Sequence, residues 1–270
     1  MIKDKHYYEN RIIKAINAQK SLLKERWNGC EDRFTKYIFI DNLLPEEDVC
    51  EIYQEFLKDT DKWIVSKSFR ESKSTLKEID TLGIVIPAIT DSFHSEAVIK
   101  EIEDITGISN LEADPSLYAG GMSKMKIGDF LSPHVDNSHD QSKTRYRRLN
   151  LLYYVSPDWQ FINGGNLELW DRKVNECEEI VSLCNRLVIM ETNDRSYHSV
   201  NKVKVDQPRC CVSNYYFSKE SEKGFDYHHV TSTTGWPNQT FLRLIGRVDT
   251  YSRDLIAKVL GKTRKGGTRY

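Results

Sequence analysis

From Ser116 onward the chain divides into short runs rich in β-branched and aromatic residues, each closed by turn-forming residues: SLYAGGMSKMKIGDFLSPHVD, RRLNLLYYV, NLELWD, EEIVSL, RLVIME, KVKV and RCCVSNYYF. Runs this short and this regularly interrupted predict antiparallel strands rather than helices. The N-terminal part reads differently. Between His6 and Trp27, the apolar residues Ile12, Ile13, Ile16, Leu22, Leu23 and Trp27 recur at spacings near three and four, which predicts one helix ended by Asn28-Gly29. KYIFIDN predicts a strand, LLPEEDVCEIYQEFLKD a helix that starts with Pro45 and two glutamates, and SEAVIKEIEDIT a helix closed by Gly107. Beyond Gly224, RLIGRVDTYSRDLIAKVL returns to helix. Helices gathered at the two ends with strands between them predict an α+β fold. Its core is a β-sandwich or a double-stranded β-helix (jelly roll), with N-terminal and C-terminal helices packed on it. The expected division is an N-terminal helical segment over 1–35, the jelly-roll domain with supporting helices over 36–222, and a partly helical C-terminal extension over 223–270. No internal repeat or low-complexity linker splits the chain further.

Composition excludes several classes of function. A formal net charge of −1 gives the body of the protein no electrostatic basis for binding nucleic acid. Only the end, KTRKGGTRY, is basic, and it reads as a solvated terminus. No apolar run approaches the roughly 20 residues that cross a bilayer, and MIKDKHYYEN is charged where a signal peptide is apolar. The six cysteines, Cys30, Cys50, Cys177, Cys184, Cys210 and Cys211, form no CxxC pair and no disulfide framework, which predicts reduced thiols. These features predict a cytoplasmic protein with neither nucleic-acid nor membrane partners.

The chemistry concentrates in SPHVDNSHD, residues 132–140. On a strand, His134 and Asp136 point to the same face, because side-chain direction alternates with period two. An isolated HxD triplet is common and carries little weight. It gains weight from His198, which follows Asp136 by 62 residues at the end of an apolar strand, and from Arg209, 11 residues further on at the start of another. Two histidines and one carboxylate on adjoining strands are the facial set of a non-haem Fe(II) centre, which leaves three metal positions for co-substrate and oxygen. The planar fork of Arg209 suits a carboxylate, so a dicarboxylate anchored there could chelate the metal with its other end.

As an ordered set these motifs resemble the 2-oxoglutarate- and Fe(II)-dependent oxygenases, and specifically their prolyl-4-hydroxylase-like branch. The resemblance runs from about Lys36 to Phe217 and includes TGI at Thr106, GDFLSPHVDN, RRLNLLYYVSPDW, GGNLELWD and the YYF after Arg209. HVDN and the YY of the following strand are also similar to the animal oxygen-sensing prolyl hydroxylases. The resemblance implies that His134, Asp136 and His198 bind Fe(II) and are the catalytic set. It implies that Arg209 binds the distal carboxylate of 2-oxoglutarate with Tyr154 beside it, that Asn150 and Leu152 share the inward face of Tyr154, and that Ser213 is a polar position on the arginine's strand. It also implies molecular oxygen as co-substrate, ascorbate as reductant, and hydroxylation of an unactivated C–H bond with release of succinate and carbon dioxide. The substrate class so implied is an amino acid, a prolyl-type peptide or a related small molecule. Related halogenases carry Gly or Ala where this chain has Asp136, which implies hydroxylation rather than chlorination. The alternatives are a natural-product-tailoring oxygenase, hydroxylating or desaturating, and a hydrolytic or noncatalytic jelly-roll metal protein. Arg209 argues against the last, since hydrolysis has no use for a carboxylate anchor.

Two positions depart from the family's pattern. SKMKIGD supplies Met125 and Lys126 where many members place a tyrosine, and Cys211 stands where a serine is usual two residues after the arginine. Both bear on how 2-oxoglutarate is hydrogen-bonded. His139 and Asp140 match no ligand and read as part of a polar loop over the site. The pair His228-His229 reads as surface or core packing. Trp159 and Trp170 flank Gly164-Gly165 and read as packing residues of a hairpin, Tyr153, Tyr215 and Tyr216 as sandwich core. Cys210 and Cys211 alternate across one strand, so at most one faces the pocket.

Overall fold

The computed structural model describes residues 3–58, 60–118 and 120–260. The basic end at 262–270 lies outside them. In chain order the elements are α1 (Lys5–Asn17), α2 (Lys20–Asn28), β1 (Tyr37–Asp41), α3 (Glu46–Leu57), β2 (Ile64–Lys67), β3 (Glu71–Leu76), α4 (Val85–Phe93), α5 (Glu96–Thr106), β4 (Glu112–Ala113), β5 (Gly121–Met125), β6 (Phe130–Val135), β7 (Tyr146–Tyr154), β8 (Leu167–Trp170), β9 (Cys177–Ile180), β10 (Arg186–Glu191), β11 (His198–Val200), β12 (Arg209–Ser218), β13 (Ser232–Thr233) and α6 (Thr240–Leu260). The strands form one curled antiparallel sheet in the order β1-β10-β7-β12-β5-β3-β6-β11-β8-β9, with β2 on β3, β4 on β12 and β13 on β6. The expected α+β jelly-roll core is present. Among the described residues no helix is long and apolar enough to cross a membrane.

Alternation along the central strands divides the interior into two layers. Leu149, Leu151, Tyr153, Leu187, Ile189, Val212 and Tyr216 join Ile12, Ile16, Ile52, Ile86 and Ile102 in a core between the sheet and the helices. On the other face, Tyr154, Val188, Met190 and Cys211 meet Leu167, Leu169 and Ile180 across the curl. Burying a side chain of this size is worth roughly 1.5–3 kcal/mol, so these two layers hold the sheet curled. Tyr153 and Tyr216 are core residues as expected. Tyr215 is not: it is only half-buried and faces the Arg147 guanidinium, 4.6 Å from its ring.

Three other expectations change, and one stretch draws none. The single helix over His6–Trp27 is two helices, parted at Ala18-Gln19, where Gln19 leaves helical geometry at φ −135°. The break reorients the chain, so that Ile12 and Ile16 on α1 and Leu23 and Trp27 on α2 are all buried while Leu22 is left exposed. KVKV, Lys202–Val205, is not a strand. Its backbone bonds are scattered, Val203 N to Asp129 O and Lys204 N to Asn163 O, and the ladder strand is HSV at β11. The long run from Ser116 to Asp136 is two strands, β5 and β6, turning where the Lys126 N–H donates to the Asp129 carboxylate, 2.8 Å. Finally, the hairpin β2–β3 and helix α4 carry no clear local signal. The α4 N-terminus is capped from a distance: the Glu55 carboxylate of α3 accepts from Val85 N (3.2 Å) and Ile86 N (2.9 Å).

Candidate active site

Strands β6 and β11 pair so that His134 and His198 are direct register partners. Their rings lie 4.1 Å apart between centroids. Each ring is oriented by the same local device. His134 Nδ1 bonds the Ser132 carbonyl at 2.9 Å and His198 Nδ1 bonds the Ser196 carbonyl at 2.9 Å, in both cases two residues back. A backbone acceptor at Nδ1 places the proton there and leaves Nε2 as a lone-pair donor. Asp136 lies just past the end of β6, its Oδ1 3.6 Å from His134 Nε2 and its Oδ2 3.8 Å from His198 Nε2. The three donor atoms fall within 4.8 Å of one another, and among the described residues no other such group occurs.

Charge in the cluster suits a cation. Burial works against ionisation of Asp136, but the Arg147 guanidinium and the two histidine rings outweigh it and hold the carboxyl well below the usual range. Burial and the neighbouring His134 lower His198 to about 4, so its imidazole is neutral at physiological pH. One carboxylate and two histidines with Nε2 turned inward are a donor set that fits a divalent first-row metal.

Asp136 is held from two sides. Asn150 Nδ2 donates to its Oδ2 at 2.8 Å, and Arg147 Nη1 lies 3.0 Å from the same oxygen. Arg147 opens the run RRLNLLYYV expected as a strand, but nothing there marks it as a site residue; it is 3% exposed. Counting by twos back from Tyr154 through Leu152 and Asn150 points to Arg148. A register shift opposite Tyr216/Phe217 moves the inward position to Arg147, because a bulge inserts one residue into the alternation.

Arg209 opens β12, and Cys211, Ser213 and Tyr215 follow it on the same face by alternation. Arg209 is 3% exposed. Its Nε donates to Ser182 Oγ at 3.0 Å and its Nη1 points to Met125 Sδ at 3.6 Å, while its guanidinium sits 4.7 Å from the Tyr154 ring centroid. Among the described residues it has no carboxylate partner. The buried Tyr154 hydroxyl likewise has no hydrogen-bond partner among them. Burial pushes that phenol up, so it keeps its proton. A buried unneutralised cation beside an unused O–H donor fits one carboxylate end of a dicarboxylate. Ser213 lies opposite Leu152 with its Oγ 3.6 Å from Cys211 Sγ. Of the two departures, Met125 is the register partner of Arg209 and supplies sulfur where a phenol was expected. Cys211 is the cysteine on the site's side of the sheet, while Cys210 packs in the core under the helices. Ser182 follows β9 and offers no sequence signal that could have marked it. Gly165, at φ +64°, packs so closely that a Cβ would lie 2.7 Å from Arg209 Cδ, and the buried Trp159 donates its Nε1–H to the carbonyl of Gly164 at 2.9 Å.

The loop residues depart from expectation. His139 is 8% exposed rather than solvated, its ring tilted at 47° to that of Tyr146 with centroids 4.4 Å apart, and it is bonded through Nδ1 to Ser138 Oγ at 2.7 Å. The Asp140 carboxylate organises the turn by accepting from Thr144 N (2.9 Å) and Arg145 Nε (2.9 Å). His228 is exposed, but His229 bonds the Asp136 carbonyl through Nε2 at 2.9 Å.

Comparison with known families matches residues 120–217 to the 2OG-Fe(II) oxygenase superfamily. No curated protein matches the sequence. Among solved structures, a prolyl hydroxylase from Trichoplax adhaerens, in complex with a hypoxia inducible factor oxygen degradation domain peptide fragment, superposes with a TM-score of 0.54 at 17% identity, over 76% of this chain and 92% of that one. A Pseudomonas putida prolyl-4-hydroxylase gives 0.54 at 13% identity over 74% and 98%. The non-heme alpha ketoglutarate dependent epimerase SnoN from nogalamycin biosynthesis gives 0.52 at 14% over 75% and 84%. Residues 120–217 match the 2OG-Fe(II) oxygenase superfamily, and the chain around them shares the fold of these prolyl hydroxylases and of the epimerase.

Proposed function

We propose that the chain is an Fe(II)- and 2-oxoglutarate-dependent dioxygenase that hydroxylates an unactivated C–H bond of an amino-acid, peptidyl or related small-molecule substrate. The observation that carries this reading is a convergent two-histidine, one-carboxylate cluster in the same interior as a buried arginine that has no acidic partner. His134, Asp136 and His198 would hold the iron. Arg209 and Tyr154 would hold the distal carboxylate of 2-oxoglutarate, with Ser213 a further polar group on that strand. When bound, iron and 2-oxoglutarate together supply oxygen activation coupled to oxidative decarboxylation.

The protein's part is orientation and exclusion of water. Arg147 and Asn150 keep Asp136 ionised and aimed at the histidines, and the Nδ1 contacts keep both Nε2 atoms inward. Leu152, Val188 and Met190 line the interior with apolar surface, which limits water around a reactive oxidant. With iron bound, the carboxylate of Asp136 would serve as a ligand where related halogenases carry Gly or Ala, so the expected product is hydroxylated. The similar fold of the epimerase SnoN supports a second reading, a natural-product-tailoring oxygenase on the same cofactors.

The test is oxygen-dependent formation of succinate from 2-oxoglutarate with Fe(II) and ascorbate, with and without amino-acid, peptide and metabolite pools. It is followed by product mass under oxygen-18 gas in chloride-containing buffer. One labelled oxygen in the product supports hydroxylation. A chlorinated product, or loss of two hydrogens without oxygen, overturns it, and absence of succinate overturns the cofactor assignment.

A further inference from the structure

The C-terminal extension doubles back over the strands that carry the three cluster residues. Ser138 N donates to the His229 carbonyl at 3.1 Å, His229 N donates to Ser138 Oγ at 2.9 Å, and His229 Nε2 reaches the Asp136 carbonyl at 2.9 Å. Next, β13 pairs with β6 in the register Ser232 to Val135 and Thr233 to His134, and Thr234 N donates to the Pro133 carbonyl at 2.8 Å. Then Trp236 Nε1 donates to Glu168 Oε2 at 2.8 Å, and the same oxygen accepts from Ser199, the residue after His198. Trp170 Nε1 completes this outer network by donating to Ser199 Oγ at 2.7 Å. Helix α6 closes over β13, where Gly246 lies so near that a Cβ would be 2.3 Å from the Thr233 carbonyl oxygen.

Two of these contacts meet backbone that the jelly roll leaves unsupported on that side, at His134 and at Asp136. The first half of β6 is paired by β3 at Phe130 and Leu131, but the half bearing His134 has only β11 on one side and depends on β13 for the other. Asp136 lies past the strand end, where no ladder bond fixes its carbonyl. Groups behind metal ligands set ligand orientation, and their loss typically costs 10–100-fold in metal affinity. All of these extension residues lie outside the matched span 120–217.

We propose that His229–Trp236 is a brace that positions the metal ligands: His229 sets Asp136 through its carbonyl, β13 sets the backbone of His134, and Trp236 sets the strand of His198 through Glu168 and Ser199. This rests on the reading of His134, Asp136 and His198 as a metal site. His229 and Trp236 are positioning residues. They act through the ligands, by way of the Asp136 carbonyl and of Glu168 and Ser199.

The experiment is a Co(II) titration of the full chain without added iron, followed by the d–d absorption of the bound metal, with melting temperatures measured in parallel. His229→Ala and Trp236→Phe, the latter keeping the ring but losing its N–H, should each weaken Co(II) binding about tenfold or more. His229→Gln, which retains a side-chain N–H donor, should recover most of the loss. Val49→Ala, in the buried face of α3, should lower the melting temperature and leave Co(II) affinity unchanged. His134→Ala should abolish binding. If His134→Ala still binds Co(II) normally, the metal-site reading falls and the brace falls with it. If His134→Ala is null while His229→Ala and Trp236→Phe bind as tightly as the parent, the brace alone is overturned. It is equally overturned if Val49→Ala loses as much affinity as they do. Should His229→Ala fail to fold, Trp236→Phe decides the outcome.

Discussion

Arg209 carries a full charge at 3% exposure against a serine hydroxyl, a thioether and the face of a tyrosine, none of which neutralises it. Such a site gains most from a ligand that brings a carboxylate. Removing one partner of a buried pair costs on the order of 3–5 kcal/mol. Arg209→Ala should therefore weaken 2-oxoglutarate at least a hundredfold, read as its apparent affinity in succinate formation, while Co(II) titrates as in the parent. Gly165→Ala should act through the same residue, since its Cβ meets Arg209 Cδ and its φ of +64° disfavours any side chain. Its signature is weaker 2-oxoglutarate binding with metal affinity unchanged. His139→Ala should leave Co(II) bound and lower the melting temperature instead, because that ring packs on Tyr146 away from the metal cluster. At this scale the residues legible in the sequence were those whose chemistry is rare at strand spacing: the HxD pair, His198 and Arg209. Arg147 was hidden by a bulge that breaks period-two counting, and Ser182 by the ordinariness of a serine after an edge strand. His229 was hidden because its contact is with a backbone atom.

Elements were legible where their signal is local. Strand β7 and helix α5 announce themselves by alternation and by a Ser95 cap with a Gly107 stop. Elements defined by distant partners were not, and α4 shows why: its first N–H groups are capped by Glu55 from another helix. Glu55→Ala should cost about 1–3 kcal/mol, the usual penalty for a buried donor left unsatisfied, measured by denaturant unfolding. The same logic applies outside the barrel, at the pairing of β8 with β11. Burial raises Glu168 above the ordinary carboxylate range. Its folded pKa thus exceeds its unfolded one, so the folded state holds the proton more tightly and this residue's contribution to stability is lost as pH rises through the folded pKa. Glu168→Gln retains an acceptor for Trp236 and Ser199 without the charge. The melting temperature of Glu168→Gln relative to the parent should therefore be more favourable at pH 7.5 than at pH 5. A difference independent of pH would show that the carboxyl is not strained by burial.

Across the whole molecule, the site lies where one curled sheet folds over itself. The metal cluster comes mainly from β6 and β11, with Asp136 reinforced from β7, whereas Arg209 and Tyr154 stand on β12 and β7. A metal with 2-oxoglutarate bridging to Arg209 would tie the two parts of the curl, and any ligand that binds only the folded state stabilises it by RT ln(1 + [L]/Kd), about 2.7 kcal/mol at a hundredfold excess over Kd. For a chain of this size that is several degrees of melting temperature. Co(II) alone should raise the melting temperature, and 2-oxoglutarate should add a second increment only when Co(II) is present, because its chelating end has nothing to bind otherwise. Arg209→Ala should keep the first increment and lose the second, and His198→Ala should lose both. Were 2-oxoglutarate to stabilise His198→Ala as much as the parent, its principal contact would lie away from the metal cluster, and the shared interior would hold two independent sites rather than one.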